Sequence, residues 1–253
     1  MGKIIAVTNQ KGGVGKTTTA VNLSACVAEK GKRVLLADVD PQGNASSGLG
    51  CAARNRRSIY DVLLGETPAK DAIQATKFGP LSLLPSSIQL AGAEIELVAM
   101  PGRETLLKNA LEPVKDEFDY IFIDCPPSLS LLTLNAMAAA DSVLVPIQCE
   151  YYALEGLSDL MTTMRAVKRR LNPTLGIFGV LLTMYDGRTN FSAQVAEEVR
   201  RHFPGKVFAE VIPRNVRLSE APSHGLPIFA YDRFSRGAAA YDALVQEILT
   251  KGA

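Results

Sequence analysis

The hydrophobic positions fall into short continuous runs separated by stretches of helical periodicity. Ile4–Val7 is an apolar run of strand length, and Thr17–Lys30 sets Ala20, Leu23 and Val27 near helical spacing. Further strands are expected at Arg33–Ala37, Leu81–Pro85, Tyr120–Ile123, Ser142–Ile147, Ile177–Thr183 and Val207–Ile212. Helices are expected near 103–116, 129–139, 153–171 and 191–203. A closing helix is expected near 236–250, with Tyr241, Leu244, Val245, Ile248 and Leu249 on one stripe. Several strands are apolar throughout rather than alternating, the pattern of strands covered on both faces. Alternation of such strands with helices predicts an α/β fold: a doubly wound, mostly parallel sheet with helices on both faces. Ligands are expected at the carboxyl ends of its strands. No repeat or linker divides 1–253, so a single domain is expected. The least regular stretch, 51–80, carries Arg54, Arg56 and Arg57 and reads as a mobile or partner-facing insert.

Composition narrows the classes. With 47% hydrophobic and 21% charged residues the chain is not disordered in bulk. Lys and Arg number 27 against 26 acids, a net charge of +1, so no basic field covers the whole molecule. Nucleic-acid binding would need a local patch or a surface doubled in a dimer. No apolar run reaches the roughly 18 residues of a membrane span, and Ile4–Val7 is too short for a signal peptide. Cys26, Cys51, Cys125 and Cys149 are scattered with no CxxC pair, so neither zinc nor a redox dithiol is indicated. Reduced thiols in a cytoplasmic setting are the simplest reading.

The strongest chemical signal is Lys11-Gly12-Gly13-Val14-Gly15-Lys16-Thr17-Thr18, set between a predicted strand and a predicted helix. That context is what a phosphate-binding loop requires. Its glycines let backbone amides approach phosphate oxygens, and the following helix points its amino terminus at the same anion. Lys16 is placed to reach the β- and γ-phosphates, and the Thr17 hydroxyl to ligate Mg²⁺. The general pattern would have glycine at position 10. Here stands Gln10, and the variant carries an extra lysine, Lys11.

Two acidic strand ends accompany the loop. In Asp38-Val39-Asp40-Pro41-Gln42-Gly43-Asn44 the two aspartates share a face of an extended chain, and Pro41 and Gly43 start a turn. A carboxylate here serves either to orient an attacking water or to complete a Mg²⁺ shell. The run Tyr120-Ile121-Phe122-Ile123-Asp124 is apolar and ends on an acid near the expected metal. Cys125 reads as a packed thiol, since neither His202 nor His224 offers itself as its base.

Together these residues resemble the ParA/Soj family of partition ATPases, of the P-loop NTPase type. Asn9 to Thr19 looks like the family's deviant Walker A motif. Asp38 to Asn44 and Asp124-Cys125-Pro126-Pro127-Ser128 look like its second and third motifs. Thr183-Met184-Tyr185-Asp186 and the stretch Ile212 to Pro222 point to the Soj-like branch. The resemblance implies ATP and Mg²⁺ as cofactors. It implies that Lys16 binds phosphate, Thr17 and Asp124 serve the metal, and Asp40 positions the water. Lys11 would cross to the nucleotide of a second subunit, so that ATP is sandwiched in a homodimer. Pro213 and Asn215 would contact adenine. The ATP dimer would bind double-stranded DNA without sequence preference through Arg188, Arg217 and Arg214. Lys168-Arg169-Arg170 and Arg200-Arg201 are weaker candidates. A ParB/Spo0J-like partner would stimulate hydrolysis, and the protein would be cytoplasmic and nucleoid-associated. With the first strand opening at Ile4, no DNA-reading domain is expected ahead of it.

Three rivals share the loop. A MinD-like membrane-positioning ATPase would need a basic amphipathic tail. The helix near 236–250 instead has Asp242 and Glu247 between its terminal cations, and no stable membrane association is expected. A redox enzyme would need cysteines placed to bridge a cluster, and a biosynthetic ligase an added substrate site. A scaffold without turnover would have no use for Asp40 and Asp124.

Overall fold

The structure, a computed structural model, describes residues 2–51, 57–150 and 153–251. It is built around one seven-stranded sheet in the order β3-β4-β2-β5-β1-β6-β7. The strands are β1 (Lys3–Val7), β2 (Val34–Asp38), β3 (Gln74–Ala75), β4 (Leu81–Leu84), β5 (Tyr120–Asp124), β6 (Ser142–Gln148) and β7 (Gly176–Thr183). All neighbours are parallel except the short edge strand β3, which runs antiparallel to β4. In the register of the central strands, Asp124 lies beside both Val7 and Asp38. The strand before the phosphate loop and both acidic strand ends therefore finish side by side.

Helices cover both faces. On one side lie α1 (Lys16–Glu29), α2 (Asn44–Gly48), α10 (Val216–Glu220), α11 (Ile228–Tyr231) and α12 (Arg236–Lys251). On the other lie α3 (Ile59–Leu63), α4 (Ala69–Ala72), α5 (Leu90–Leu97), α6 (Leu106–Leu111), α7 (Leu131–Ala139), α8 (Ala153–Arg170) and α9 (Asn190–His202). Successive strand residues feed opposite cores: Ile4 and Ala6 join the second group, Ile5 and Val7 the first. This two-sided burial explains why the strands are apolar throughout. The stripe of α12 is core packing: Tyr241, Leu244, Val245 and Ile248 are all buried. The Tyr241 hydroxyl pairs with Thr19 Oγ1 of α1 at 3.2 Å.

Three expectations need correction. Val207–Ile212 is not a strand. It meets β7 through one isolated bridge, Val207 to Val180, and through the Phe208 and Ile212 amides, while the Ala209 and Glu210 amides between them donate to the Glu247 carboxylate and break the ladder. The helix expected over 103–116 splits into α6 and a 3-10 turn, Glu112–Glu117, where Pro113 has no amide hydrogen to continue the α ladder. The stretch 51–80 is not a loose insert in its described part. Ser58 and Asp61 form a capping box for α3, which buries Ile59 and Leu63. Arg54 and Arg56 lie outside the described residues, and Arg57 pairs with Asp71. Helix α5 and strand β3 carried no clear signal in the sequence.

One backbone contact ties the α2 turn to the segment beyond α10. Gly225 has φ 62°, and a Cβ built there would sit 2.7 Å from Gly50 Cα. Gly225→Ala is therefore expected to cost on the order of 1–3 kcal/mol, read as a lower urea midpoint at unchanged m-value.

Candidate nucleotide-binding site

The loop after β1 is shaped by two glycines in the left-handed region, Gly13 at φ 75° and Gly15 at φ 86°. Gly15 is the N-cap of α1, so the free amides of that helix open onto the loop. The loop is fastened to the neighbouring strands. Asn9 Nδ2 donates to the Pro146 carbonyl of β6 at 2.8 Å, while Asn9 Oδ1 accepts from the Lys11 amide at 3.0 Å. Thr183 at the end of β7 donates from Oγ1 to the Val14 carbonyl at 2.8 Å. The Lys16 ammonium donates to the Lys11 carbonyl at 3.0 Å. Burial lowers the Lys16 pKa, and Asp124, Cys125 and Asp40 oppose that shift.

Facing Lys16 are three buried carboxylates. Asp38 Oδ2 accepts from the Ser46 amide at 2.8 Å and from the Ser46 hydroxyl at 2.7 Å. Burial nevertheless pushes Asp38 up to about 6. Asp40 accepts from the Gln42 amide at 3.0 Å, and its carbonyl accepts from Ser86 Oγ at 2.6 Å. Asp124 is fully buried, and neither of its oxygens has a hydrogen-bond partner of normal geometry. Burial first, and then the Asp38 charge, raise it well above the usual carboxylate range. The Thr17 hydroxyl and the more distant Lys16 pull it back only in part. Two buried acids with an orphaned oxygen pair and a neighbouring hydroxyl form the donor set of a hard divalent cation. The residues present thus fit Mg²⁺.

A cavity of about 150 Å³ adjoins the loop, lined by Gly15, Thr18, Met184, Pro213, Asn215 and Leu218 among others. Its floor includes Met184, the one non-glycine residue at positive φ (50°) among the described residues. Asn215 Oδ1 accepts from the Arg217 amide at 2.9 Å and caps α10, which leaves its amide nitrogen for a ligand. A larger cavity, about 650 Å³, lies under α3, α4 and α6, away from the acids.

The basic residues separate into groups. Glu150 lies between Lys11, at 3.8 Å, and Arg214, at 3.9 Å. Arg214 also lines the cavity. Arg214 and Arg217, three residues apart, do not share a helical face, because Asn215 between them is extended (φ −144°) and α10 starts only at Val216. Arg217 pairs with Glu220 at 2.9 Å and Asp232 at 3.4 Å. Arg188 is 89% exposed, and its pairing with Asp186 holds that carboxyl down at about 2. Lys168-Arg169-Arg170 and Arg200-Arg201 lie in the last turns of α8 and α9, and Arg200 is close enough to Cys149 to lower its pKa against the larger upward effect of burial. Asp38, Asn9 and Thr183 stand inside the sequence motifs and join the site through contacts that only the fold creates. Ser46 and Ser86 had no signal in the sequence.

A family model described as an AAA domain matches residues 2–177. Sporulation initiation inhibitor protein Soj of Bacillus subtilis is 61% identical over 253 residues, covering 100% of both chains. Chromosome partitioning protein ParA of Myxococcus xanthus is 54% identical, covering 99% of this chain and 89% of its own. The chain belongs to the Soj/ParA family of chromosome-partitioning ATPases. A solved Mycobacterium smegmatis protein, cobyrinic acid a,c-diamide synthase with bound ADP and magnesium, matches this Soj/ParA chain with a TM-score of 0.87. It is 40% identical and covers 100% of this chain and 96% of its own. Among the described residues of the Soj/ParA chain, no helix is long and apolar enough to cross a membrane.

The carboxylates of this Soj/ParA site give a pH signature. The folded-state value of Asp38 is raised from 3.8 to about 6. Its contribution to stability is thus present below the lower value and lost as pH rises through the higher one. Asp124 shifts in the same direction. Without nucleotide and in chelator, the protein should melt several degrees lower at neutral pH than near pH 5. Asp124→Asn should remove much of that difference, as read by thermal denaturation across pH.

Proposed function

We propose that this Soj/ParA chain works as an ATP-driven dimeric switch in chromosome or plasmid partitioning, acting as one unit over 1–253. The carrying observation is the buried, unpartnered Asp124 beside Lys16, with Asp40 next to it and a second lysine, Lys11, on the rim. Loop amides of residues 11–18 and the Lys16 ammonium hold the phosphates of ATP. Thr17 and Asp124 would hold Mg²⁺, which would supply charge neutralisation for phosphoryl transfer. Asp40 orients the attacking water. Its turn is fixed by Ser86, so the carboxylate is positioned before the nucleotide arrives. Pro213 and Asn215 hold the adenine.

Lys11 reaches the nucleotide of a second chain. Its pairing with Glu150 is long and partly exposed, the kind of ion pair worth at most about 1 kcal/mol, and a triphosphate outcompetes it. Dimerisation places two sets of Arg188 and Arg217 on one surface, and that surface binds DNA through its phosphates without reading sequence. Arg188, the more exposed, dominates. Arg214 serves the nucleotide side more than DNA. A ParB/Spo0J-like partner stimulates hydrolysis, which returns the protein to the monomer, and DNA binding places it at the nucleoid. The buried stripe of α12 supports this reading over a membrane-positioning one. The likeness to the diamide synthase favours a second reading, a biosynthetic enzyme, which would turn over ATP only with its own small substrate.

Duplex DNA retention and chain size are measured with ATP, ADP or no nucleotide at two salt concentrations. Binding is expected with ATP alone, weakening steeply with salt. Asp40→Ala is expected to lower turnover at least about 100-fold while ATP-dependent dimer and DNA binding persist. Lys11→Ala should lose the dimer. DNA binding in no state, with ATP-driven dimerisation intact, overturns the DNA role.

A further inference from the structure

Helix α8 carries positive charge that the rest of the chain leaves unneutralised. Among the described residues, the arginines with no carboxylate in ion-pair reach are Arg165, Arg169, Arg170, Arg200 and Arg236. Four of those five lie on α8 and α9. No acid occurs from Leu160 to Tyr185. Arg165 stands three and four positions before Lys168 and Arg169, spacings at which like charges on a helix repel. The helix dipole favours cations in a last turn, which accounts for Lys168, Arg169 and Arg170. It does not account for Arg165, which precedes that turn.

The cations border two hollows rather than a flat surface. One, about 380 Å³, lies between α8 and the end of α9 and is lined by Leu157, Ser158, Met161, Arg165, His202 and Phe203. The other, also about 380 Å³, lies against Thr162, Arg165, Lys168 and Arg169. Arg165 is common to both, so the hollows follow one another along the helix. At 3.6 residues per turn, the α8 positions from Ser158 to Arg169 that line them, Leu157 aside, fall within an arc of roughly 120° and span about 16 Å, or three turns. Asp159 and Thr163 fall outside that arc. On the α9 side, Glu197 and Glu198 are already engaged by Arg201, at 2.6 Å and 3.3 Å, and Glu198 also meets His202.

The apolar part of this face is recessed. Leu157 is buried, and Met161 and Phe203 are half-buried against the core. None of the exposed large hydrophobics among the described residues lines either hollow. A bilayer surface takes up apolar side chains that project, and a phosphate backbone gains nothing from an apolar floor. The face instead suits a ligand that brings its own projecting apolar side chains, flanked by carboxylates.

We infer that the α8–α9 face is the docking surface for an acidic amphipathic helix of a partner protein, about three turns long. Its apolar side chains enter the hollow over Leu157, Met161 and Phe203, and its carboxylates meet Arg165, Lys168 and Arg169. The same cations select against basic helices. Thr163, outside the docking arc, accepts from Gln10 Nε2 of the phosphate loop at 3.4 Å. The docked helix therefore leaves that contact in place, and docking needs no bound nucleotide.

The probe is a synthetic helix of leucine and glutamate, with a leucine–lysine helix of the same pattern and polyglutamate as controls. Fluorescence anisotropy against the full chain, with ADP and with no nucleotide, is expected to show tight binding of the leucine–glutamate helix only, weakening as salt rises. The double variant Arg165→Glu/Arg169→Glu should bind it at least tenfold more weakly, with unchanged thermal midpoint, basal ATP turnover and DNA retention. The milder Arg165→Gln should weaken binding in the same direction, which keeps the test open if charge reversal disturbs the fold. Met161→Gln should weaken binding while leaving its salt dependence as in the native chain. No binding of the leucine–glutamate helix overturns the inference, as does equal binding of polyglutamate or equal binding to native and doubly substituted chains. Loss of DNA retention in a folded double variant also overturns it, because the face then serves nucleic acid. So does phosphatidylglycerol-vesicle binding that the native chain shows and the double variant lacks.

Discussion

The arrangement turns on an unneutralised charge at the end of the central strand. Asp124 is sealed from solvent, has no hydrogen-bond donor of normal geometry and lies beside a second buried acid, Asp38. Burying an ionised carboxylate without a partner costs several kcal/mol in effective terms. The fold accepts that cost at the point where a lysine, a threonine hydroxyl and a ring of loop amides converge. A cation held at Asp124 would remove the penalty, so ligand binding and the stability of the sheet end are coupled.

The surrounding scaffold keeps these groups apart and aimed until that happens. The loop is fastened by side chains from both strands on its far side, Asn9 reaching β6 and Thr183 reaching Val14 from β7. The carboxylates are fastened by serines, Ser46 on Asp38 and Ser86 on the Asp40 turn. These contacts are short and mostly buried, which restricts the site to one geometry.

Much of this was legible in the sequence, and the reason is local. Continuous apolar runs such as Tyr120 to Ile123, and glycines such as Gly13 and Gly15, leave a signal that needs no partner to read. The helix over 153–171 and the stripe of the last helix have the same origin. What escaped depends on contacts between distant segments. Val207–Ile212 has the apolar look of a strand, yet Glu247, far along the chain, takes the amide hydrogens of Ala209 and Glu210 in its middle. Helix α5 is apolar on nearly every side, so it has little helical periodicity to detect. Asp38 was visible as an acid, but only the register against β5 places it beside Asp124. Ser46 and Ser86 are ordinary residues made specific by the turn that brings them together.

Alternation along the strands has a wider consequence. Ile121 and Ile123 belong with α5, α7 and α8, whereas Phe122 between them belongs with α1 and α12. The sheet is thus a partition between two separately packed compartments, and a repacking event on one side meets a wall of hydrogen-bonded backbone before the other. The partition ends at its carboxyl edge, where Asp38, Asp124 and the loop meet and side chains from both compartments touch the same atoms. Information about what sits on one flank therefore has a narrow route to the other, and that route runs through the buried carboxylates and the loop.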